Sequence, residues 1–314
     1  MAVYVEVSED VLGGFLNQFD TGALVSSKGI VEGVSNSNFL VETTTDRFIL
    51  TLYEHRIDPD DLPFFINLME HLANKGLPVP RPIRDRDGVA LHRIAGRAAC
   101  MIQFLSGVSV SAPTPAQTRA AAAALAALHL AGASFPELRA NHLSLPWWQQ
   151  TAHDLGAGLD RIEPGLAGFV HDTLRHLTMK WPTDLPTGII HADLFPDNVL
   201  MLGDQVTGLI DFYFSCTDSY AYDLAVFLTA WAFAPDGGAP MPEHMNAALQ
   251  GYESVRKLSA AEHAALPLLG QGAALRFLLS RAQDWLTPDA DALVHHKDPV
   301  PFANRLRHYV HHAA

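Results

Sequence analysis

The chain has 314 residues, of which 48% are hydrophobic and 18% are charged, and its formal net charge at pH 7 is −13. This length and apolar content predict one large globular unit or two lobes with a substantial core, and they exclude an intrinsically disordered chain. The negative charge argues against nonspecific binding to nucleic acid or to an anionic membrane.

The remaining composition points to the cytoplasm. Cys100 and Cys216 stand alone in apolar surroundings, which is typical of a reducing compartment and gives no metal-ligand spacing. Residues 1–10 are acidic and lack a signal-peptide pattern. The longest apolar stretch, 224–234, is too short to span a bilayer. We therefore expect a cytoplasmic protein; its oligomeric state is left open.

The N-terminal third predicts a small sheet with helices. Ser8 is placed to cap a first helix with an apolar stripe. A second helix is expected from Asp61 or Pro63 to Ala73, closed by Gly76. Short apolar and β-branched segments predict strands, at 39–41, 48–53, 89–91 and 98–104.

The rest of the chain predicts mainly helix. Segment 116–131 is rich in alanine and leucine, the residues with the highest helix propensity. Segment 241–310 also predicts helix, with interruptions expected at Pro267 and Pro288 because proline removes a hydrogen-bond donor.

One motif within this helical part carries the chemistry. The stretch HADLFPDN, residues 191–198, precedes two strand-like segments that are separated by a turn at 203–204. Folded as a hairpin, these segments bring Asn198 and Asp211 close together at the open end. An amide oxygen beside a carboxylate suits Mg²⁺ that carries nucleotide phosphates. Asp193 is placed to accept a proton from a substrate hydroxyl.

The alternative interpretation is a hairpin whose Asp and Asn residues only form turns. It does not explain Asp211, which stands between Ile210 and Phe212, where an unpaired carboxylate is expected to be costly. We interpret His191 as a neutral packing histidine that orients the loop. Asp197 is interpreted as a loop cap, with a secondary metal contact as the alternative.

A second polar loop precedes the strand at 39–41. Segment 29–38 contains two glycines, which let main-chain N–H groups approach a phosphate. It is neither G-x-G-x-x-G nor a Walker sequence, and an ordinary hairpin turn is the alternative. The residues of this loop that we predict to bind a nucleotide are Gly33, Ser35, Asn36 and Ser37.

With these motifs on hand, the chain resembles the aminoglycoside phosphotransferase and choline kinase branch of the protein-kinase-like fold. The segments that carry this resemblance are MIQFLSG at 101–107, ALAALH at 124–129 and YDLA at 222–225. Three others are similar, more narrowly, to homoserine kinases of this fold: 28–39, 47–54 and 61–72. The resemblance implies a two-lobed α+β protein-kinase-like fold. Its small, mainly antiparallel nucleotide-binding lobe would be 1–105, and its larger helical lobe 106–314.

The resemblance also implies a function, which is ATP-dependent phosphorylation of the side-chain hydroxyl of L-homoserine in threonine biosynthesis. ATP and homoserine are then the small-molecule partners and Mg²⁺ the cofactor. Asp193 would be the catalytic carboxylate, and Asn198 and Asp211 the metal ligands. The nucleotide base would lie against Gln103, Phe104 and Leu105. The alternatives are a choline, ethanolamine or aminoglycoside kinase, and a nucleotide-binding pseudokinase.

One departure from the kinase pattern stands out. Kinase-like folds usually carry a phosphate-binding lysine in the third strand, where this chain has Thr51, and its usual glutamate partner is replaced by an apolar residue near Ile66. Losing both members of an ion pair leaves neither charge buried alone. Phosphate neutralisation then falls to Mg²⁺, with Lys28 or Arg56 as further candidates.

The acceptor site is predicted on one apolar helix. Arg276 and Arg281 lie on it, and an arginine in such surroundings requires an anionic partner. That partner is either a protein carboxylate, such as Asp284, or the carboxylate of an amino-acid substrate. We predict Arg276, Arg281 and Trp285 as acceptor-binding residues.

Overall fold

The computed structural model describes residues 7–30, 36–53, 57–287 and 297–312. The chain forms two compact units. The first consists of Met1–Ser106 together with Gly208–Tyr213, and the second of Gly107–Thr207 together with Phe214–Ala314. The short segment 208–213 thus belongs with the first unit, although it stands between the two halves of the second unit in the sequence.

The first unit is built on an antiparallel sheet. Its described elements are α1 (Glu9–Leu16), β1 (Leu24–Gly29), β2 (Asn36–Thr43), β3 (Arg47–Tyr53), α2 (Leu62–Asn74), β4 (Leu91–Ile94) and β5 (Arg97–Gln103). The strand order is β1-β2-β3-β5-β4, and each neighbouring pair is antiparallel. The Ser8 hydroxyl caps α1 as predicted, since it accepts a hydrogen bond from the amide of Val11.

Helices dominate the second unit. Its described elements are α3 (Pro115–Gly132), α4 (Leu145–Leu155), α5 (Leu166–Lys180), β6 (Thr187–Ile190), β7 (Val199–Leu202), β8 (Gln205–Leu209), β9 (Cys216–Ser219), α6 (Tyr220–Trp231), α7 (Pro242–Val255), α8 (Ala260–Leu286) and α9 (Val300–His312). Strand β6 pairs with β9, and β7 with β8, whose last two residues fall in the first unit. The predicted α+β class is confirmed. None of the helices in the described ranges is both long and apolar enough to cross a bilayer.

The predicted break at Pro267 is wrong, because α8 runs through it without interruption. Proline in a helix deprives the carbonyl four residues earlier of its partner, which here is that of His263. Both residues are exposed, so water can satisfy this carbonyl. The predicted break at Pro288 lies outside the described residues.

A close contact between α3 and β6 sets the position of the segment that follows β6. A Cβ atom on Gly132 would lie 2.9 Å from the Cβ of Ile189, nearer than such atoms approach. Glycine at this point lets the helix lie directly against the strand. The buried end of β6, at Ile190, then leads into the HADLFPDN loop.

Candidate active site

The loop after β6 joins Asp193 to Asn198. A single 3₁₀ turn, Pro196–Asn198, closes it before β7 begins. The Asn198 amide nitrogen donates to the main-chain oxygen of Asp193 at 2.7 Å and to its carboxylate at 3.1 Å. No hydrogen bond reaches the amide oxygen of Asn198 from the described residues, so a hard oxygen donor is available there for a cation.

Three side chains from outside the loop hold its backbone. Asp223, in the first turn of α6, accepts hydrogen bonds at 2.7 Å from the amides of both His191 and Ala192. The Arg276 guanidinium donates to the carbonyl of Ala192, and the Trp231 indole donates to that of Leu194 at 2.8 Å. Ala192 has φ +63°, a left-handed conformation that a non-glycine residue keeps only when its surroundings enforce it.

Asp223 is itself held by a buried polar chain. Burial raises the pKa of its carboxyl, but the hydrogen bond from His129 and the contacts from His191 outweigh burial and leave the pKa below its usual value. Because Asp223 accepts, Nε2 of His129 donates to it at 2.9 Å. Nδ1 of His129 then accepts from the Tyr252 hydroxyl at 2.7 Å, and Arg256 donates to that hydroxyl at 3.2 Å.

His129 stays neutral within this series of hydrogen bonds. Burial lowers the pKa of its imidazole, and the attraction of Asp223 offsets only part of that shift. His191 is fully buried, and its Nδ1 accepts from the amide of Asp193 at 3.3 Å. This contact agrees with the loop-orienting position that we predicted for His191.

The two predicted acceptor arginines occupy different surroundings. Arg276 is 3% exposed and hydrogen-bonded to the loop carbonyl of Ala192, so it lies in the protein interior beneath the loop. Arg281 is partly buried, donates to the main-chain oxygen of Asp298 at 3.0 Å and lies 4.4 Å from the ring centre of Phe302. Trp285 is 47% exposed near the end of α8.

Asp211 lies in the first unit, two residues before Tyr213, which contacts the sheet. Asp211 has φ +65° and is exposed, so the expectation that its position between Ile210 and Phe212 would bury a carboxylate is wrong. The hydroxyl of Tyr213 lies 3.1 Å from that of Tyr53 at the end of β3. Asn198 and Asp211 belong to different units, and their sharing of a cation stays a prediction.

Neutral groups occupy the position of the missing lysine. The Thr51 hydroxyl donates to Oδ1 of Asn38 at 2.8 Å, across the β2–β3 pair. Burial raises the pKa of both Tyr53 and Tyr213, so both phenols stay protonated. Ile66, near which the sequence predicts the position of the usual glutamate, is 3% exposed and apolar. The ion pair is therefore absent from both of its expected positions.

The predicted nucleotide residues fall in several places. Asn36 and Ser37 are buried in β2 and paired with Tyr53 and Leu52, so they form part of a strand rather than the predicted loop. Gly33, Ser35 and Arg56 lie outside the described residues, and Lys28 is exposed in β1. Gln103 ends β5, and Phe104 and Leu105 follow it. The Arg47 guanidinium lies 4.4 Å from the ring centre of Phe104. Their binding of a nucleotide stays a prediction.

Sequence reasoning missed the hydrogen-bonded side chains that anchor the loop. Asp223 stands in the YDLA segment and His129 ends the ALAALH segment, but neither received a role. A signal was present, since a lone charged or polar residue on an apolar helix needs a buried partner. Tyr252 gave no comparable signal, because a tyrosine near a helix end is common.

The chain is similar to known proteins in both sequence and fold. Residues 26–258 match the model of the phosphotransferase enzyme family. The chain is 54% identical to a homoserine kinase of Methylobacterium radiotolerans, over 98% of this chain and 95% of that protein. It is 52% identical to a homoserine kinase of Methylorubrum populi, with the same coverage. The solved structure of an amicoumacin kinase in complex with AMP-PNP and Ca²⁺ superposes with a TM-score of 0.71 at 15% identity, covering 97% of this chain and 93% of that one.

Proposed function

Because the chain belongs to the phosphotransferase enzyme family, we propose that it transfers the γ-phosphoryl group of ATP to the side-chain hydroxyl of L-homoserine. The observation that carries the proposal is identity above 50% with homoserine kinases along 98% of the chain. The product, O-phospho-L-homoserine, would feed threonine synthesis. The isolated, reduced cysteines support a cytoplasmic location.

Asp193 is the residue that we assign to the acceptor hydroxyl. Its carboxylate is partly exposed on a loop whose backbone is fixed by Asp223, Arg276 and Trp231. A fixed carboxylate can orient the hydroxyl and accept its proton as the phosphoryl group transfers. Catalysis in this reaction class depends mostly on such positioning and on electrostatic stabilisation.

Asn198 and Asp211 are the residues that we assign to a divalent cation, with Mg²⁺ as the physiological ion. The oxygen of Asn198 suits this role because the amide nitrogen is already bound to Asp193. Amide and carboxylate oxygens are the donors that Mg²⁺ prefers. When bound, the ion would neutralise the charge on the nucleotide phosphates.

The nucleotide base is assigned to Gln103, Phe104 and Leu105, which follow β5. Gly33, Ser35, Asn36 and Ser37 stay the candidates for the phosphate side. Since Thr51 and its surroundings are neutral, the proposal gives the cation a larger share of phosphate neutralisation than in a kinase that has the lysine.

A panel of acceptors tests the proposal. ADP release is measured with L-homoserine, choline, an aminoglycoside and methylthioribose at saturating Mg²⁺–ATP. We expect L-homoserine to have the highest kcat/KM, because choline and aminoglycosides are cationic acceptors without a carboxylate. A higher kcat/KM for any other acceptor contradicts the assignment, and tight ATP binding without turnover on any acceptor favours the pseudokinase alternative.

A further inference from the structure

The catalytic loop rests on two aromatic rings from the last two described helices. Phe195, two residues after Asp193, lies 4.7 Å from the ring centre of Phe277 in α8 and 6.1 Å from that of Phe302 in α9. Phe277 and Phe302 also contact each other, at 5.2 Å. Phe302 therefore packs against the same loop that carries Asp193.

Two guanidinium groups contact the ring of Phe302. Arg281 lies 4.4 Å from its centre and Arg305 lies 4.5 Å from it. Arg305 is 5% exposed, and it donates to the main-chain oxygens of Thr229 at 3.0 Å and Ala234 at 3.3 Å. Its buried Nε has no hydrogen-bond partner among the described residues.

Neither arginine has a carboxylate partner within the described ranges. Other partly buried arginines do, since the described residues contain the pairs Arg256–Glu262 and Arg307–Glu163, at 2.8 and 2.5 Å. Burial and the charge of Arg281 lower the pKa of Arg305 to about 10, which reflects positive charge that the fold does not neutralise locally. Such a charge is costly unless an anion accompanies it.

Arg281 is the more exposed member of the pair. Burial lowers the pKa of its guanidinium, and the carboxylates of Asp197, Asp193 and Asp298 oppose that shift from longer range. Its hydrogen bond within the described residues goes to the Asp298 main chain, at 3.0 Å. This partly exposed guanidinium thus keeps donors for a further partner, and the charge of Asp193 acts on it.

We infer that Arg281 binds the carboxylate of the amino-acid acceptor while Asp193 receives its hydroxyl, and that Arg305 supplies a second, fixed positive charge to the same site. This inference rests on the proposed function. Homoserine carries its hydroxyl and its carboxylate at opposite ends of a short chain, and the inference assigns one end to each residue. A planar guanidinium binds a carboxylate through two parallel hydrogen bonds. Arg276 is excluded from this role because it is buried against the carbonyl of Ala192.

The test compares two acceptors in two variants. L-Homoserine and 3-amino-1-propanol share the chain and hydroxyl, but the second lacks the carboxylate. We expect Arg281→Met to raise the KM for homoserine and lower its kcat/KM by about 10- to 150-fold, the scale of a lost charge-assisted pair. The KM for ATP and the kcat/KM for the amino alcohol should change by less than about threefold, a difference that lies within the usual scatter of surface substitutions. Arg281→Lys should recover part of the loss.

Arg307→Met is the matched control, since Arg307 lies on α9 and pairs with Glu163. It should leave both acceptors unchanged, and thermal melting should give intact folding for both methionine variants. Equal losses on both acceptors, an unchanged KM for homoserine in Arg281→Met, or a wild-type enzyme that prefers the amino alcohol would each overturn the inference. Absence of homoserine turnover in the wild type would instead overturn the proposed function.

Discussion

Nε2 of His129 lies 2.9 Å from Oδ2 of Asp223, and both side chains are completely buried. The same carboxylate accepts the amides of His191 and Ala192, so this single contact joins α3 to the loop that carries Asp193. The main-chain N–H groups of the loop are thereby satisfied by a buried carboxylate rather than by solvent.

Replacing Asp223 by Asn should damage both stability and catalysis. The amide nitrogen cannot accept a main-chain N–H, so at least one buried donor loses its partner. Breaking a buried charged network of this kind typically costs about 3–5 kcal/mol. We expect that loss in urea unfolding, together with a fall in kcat on the order of 100-fold from the displaced loop. Asp172→Asn, at an exposed pair on α5, is the control. A stable Asp223→Asn enzyme with wild-type kcat would contradict the anchoring role.

Stability should fall as the pH drops below about 6.5, the ordinary pKa of histidine. The folded protein holds His129 neutral with a lowered pKa, whereas the unfolded chain takes up a proton on this residue below that pH. The unfolded state then binds more protons, so the free energy of unfolding decreases with falling pH. Chemical unfolding between pH 7.5 and 5.5 should show a shallower pH dependence for His129→Gln than for the wild type. Identical slopes would mean that His129 titrates normally in the folded protein.

Asp193→Asn should lower kcat by at least about 100-fold, the usual scale for a positioned acid–base group. ATP binding should change little, because the assignment places Asp193 at the acceptor rather than at the nucleotide. Steady-state turnover and nucleotide titration of the same preparation measure both quantities. Retention of most of the activity would remove Asp193 from the mechanism.

Asn198→Ala and Asp211→Ala should both weaken Mg²⁺-dependent nucleotide binding, with the larger effect for Asp211. A carboxylate is the stronger ligand for a hard cation, and its charge offsets that of the ion. Titration of Mg²⁺ at fixed ATP compares the two variants with the wild type. An unchanged metal dependence in both would refute the shared cation site.

Thr51→Ala should be mild, within about tenfold in kcat/KM, because a hydroxyl cannot supply the charge of a kinase lysine. The variant leaves Oδ1 of Asn38 without its donor from Thr51, so the free energy of unfolding should fall by about 1 kcal/mol. Kinetics and urea unfolding separate the two effects. A catalytic loss as deep as that of Asp193→Asn would instead make Thr51 a direct catalytic contact.

The sequence predicts those structural features that depend on neighbouring residues, and it misses those that depend on distant ones. Local patterns located α1 with its Ser8 cap and the strands β2 and β3, because their capping and alternation depend on neighbouring residues. β1 was missed since its sequence, LVSSKG, is mostly polar, and each of its residues is exposed or only partly buried. Pro267 was misread as a break because exposure of the carbonyl at His263 cannot be inferred from the local pattern.

The same distinction holds for the site. Asp193 and Asn198 lie five residues apart, and their spacing predicted one polar loop. Asp223 contacts Ala192 and His129, 31 and 94 residues away, and Phe302 contacts Phe195, 107 residues away, so no spacing rule could reveal these contacts. The contrast between Arg276 and Arg281 was equally hidden, because both occupy the same helix in similar apolar surroundings.

The neutral position at Thr51 also affects how this protein would be found in chemical labelling surveys. Nucleotide reagents that bear an acyl phosphate mark kinases by passing their acyl group to the amine of the third-strand lysine. Thr51 offers no amine, and its hydroxyl is 2% exposed and engaged with Asn38. Such reagents would leave β3 of this protein unmarked even when the nucleotide is bound, so a kinase inventory that counts only labelling of the third-strand lysine would omit it.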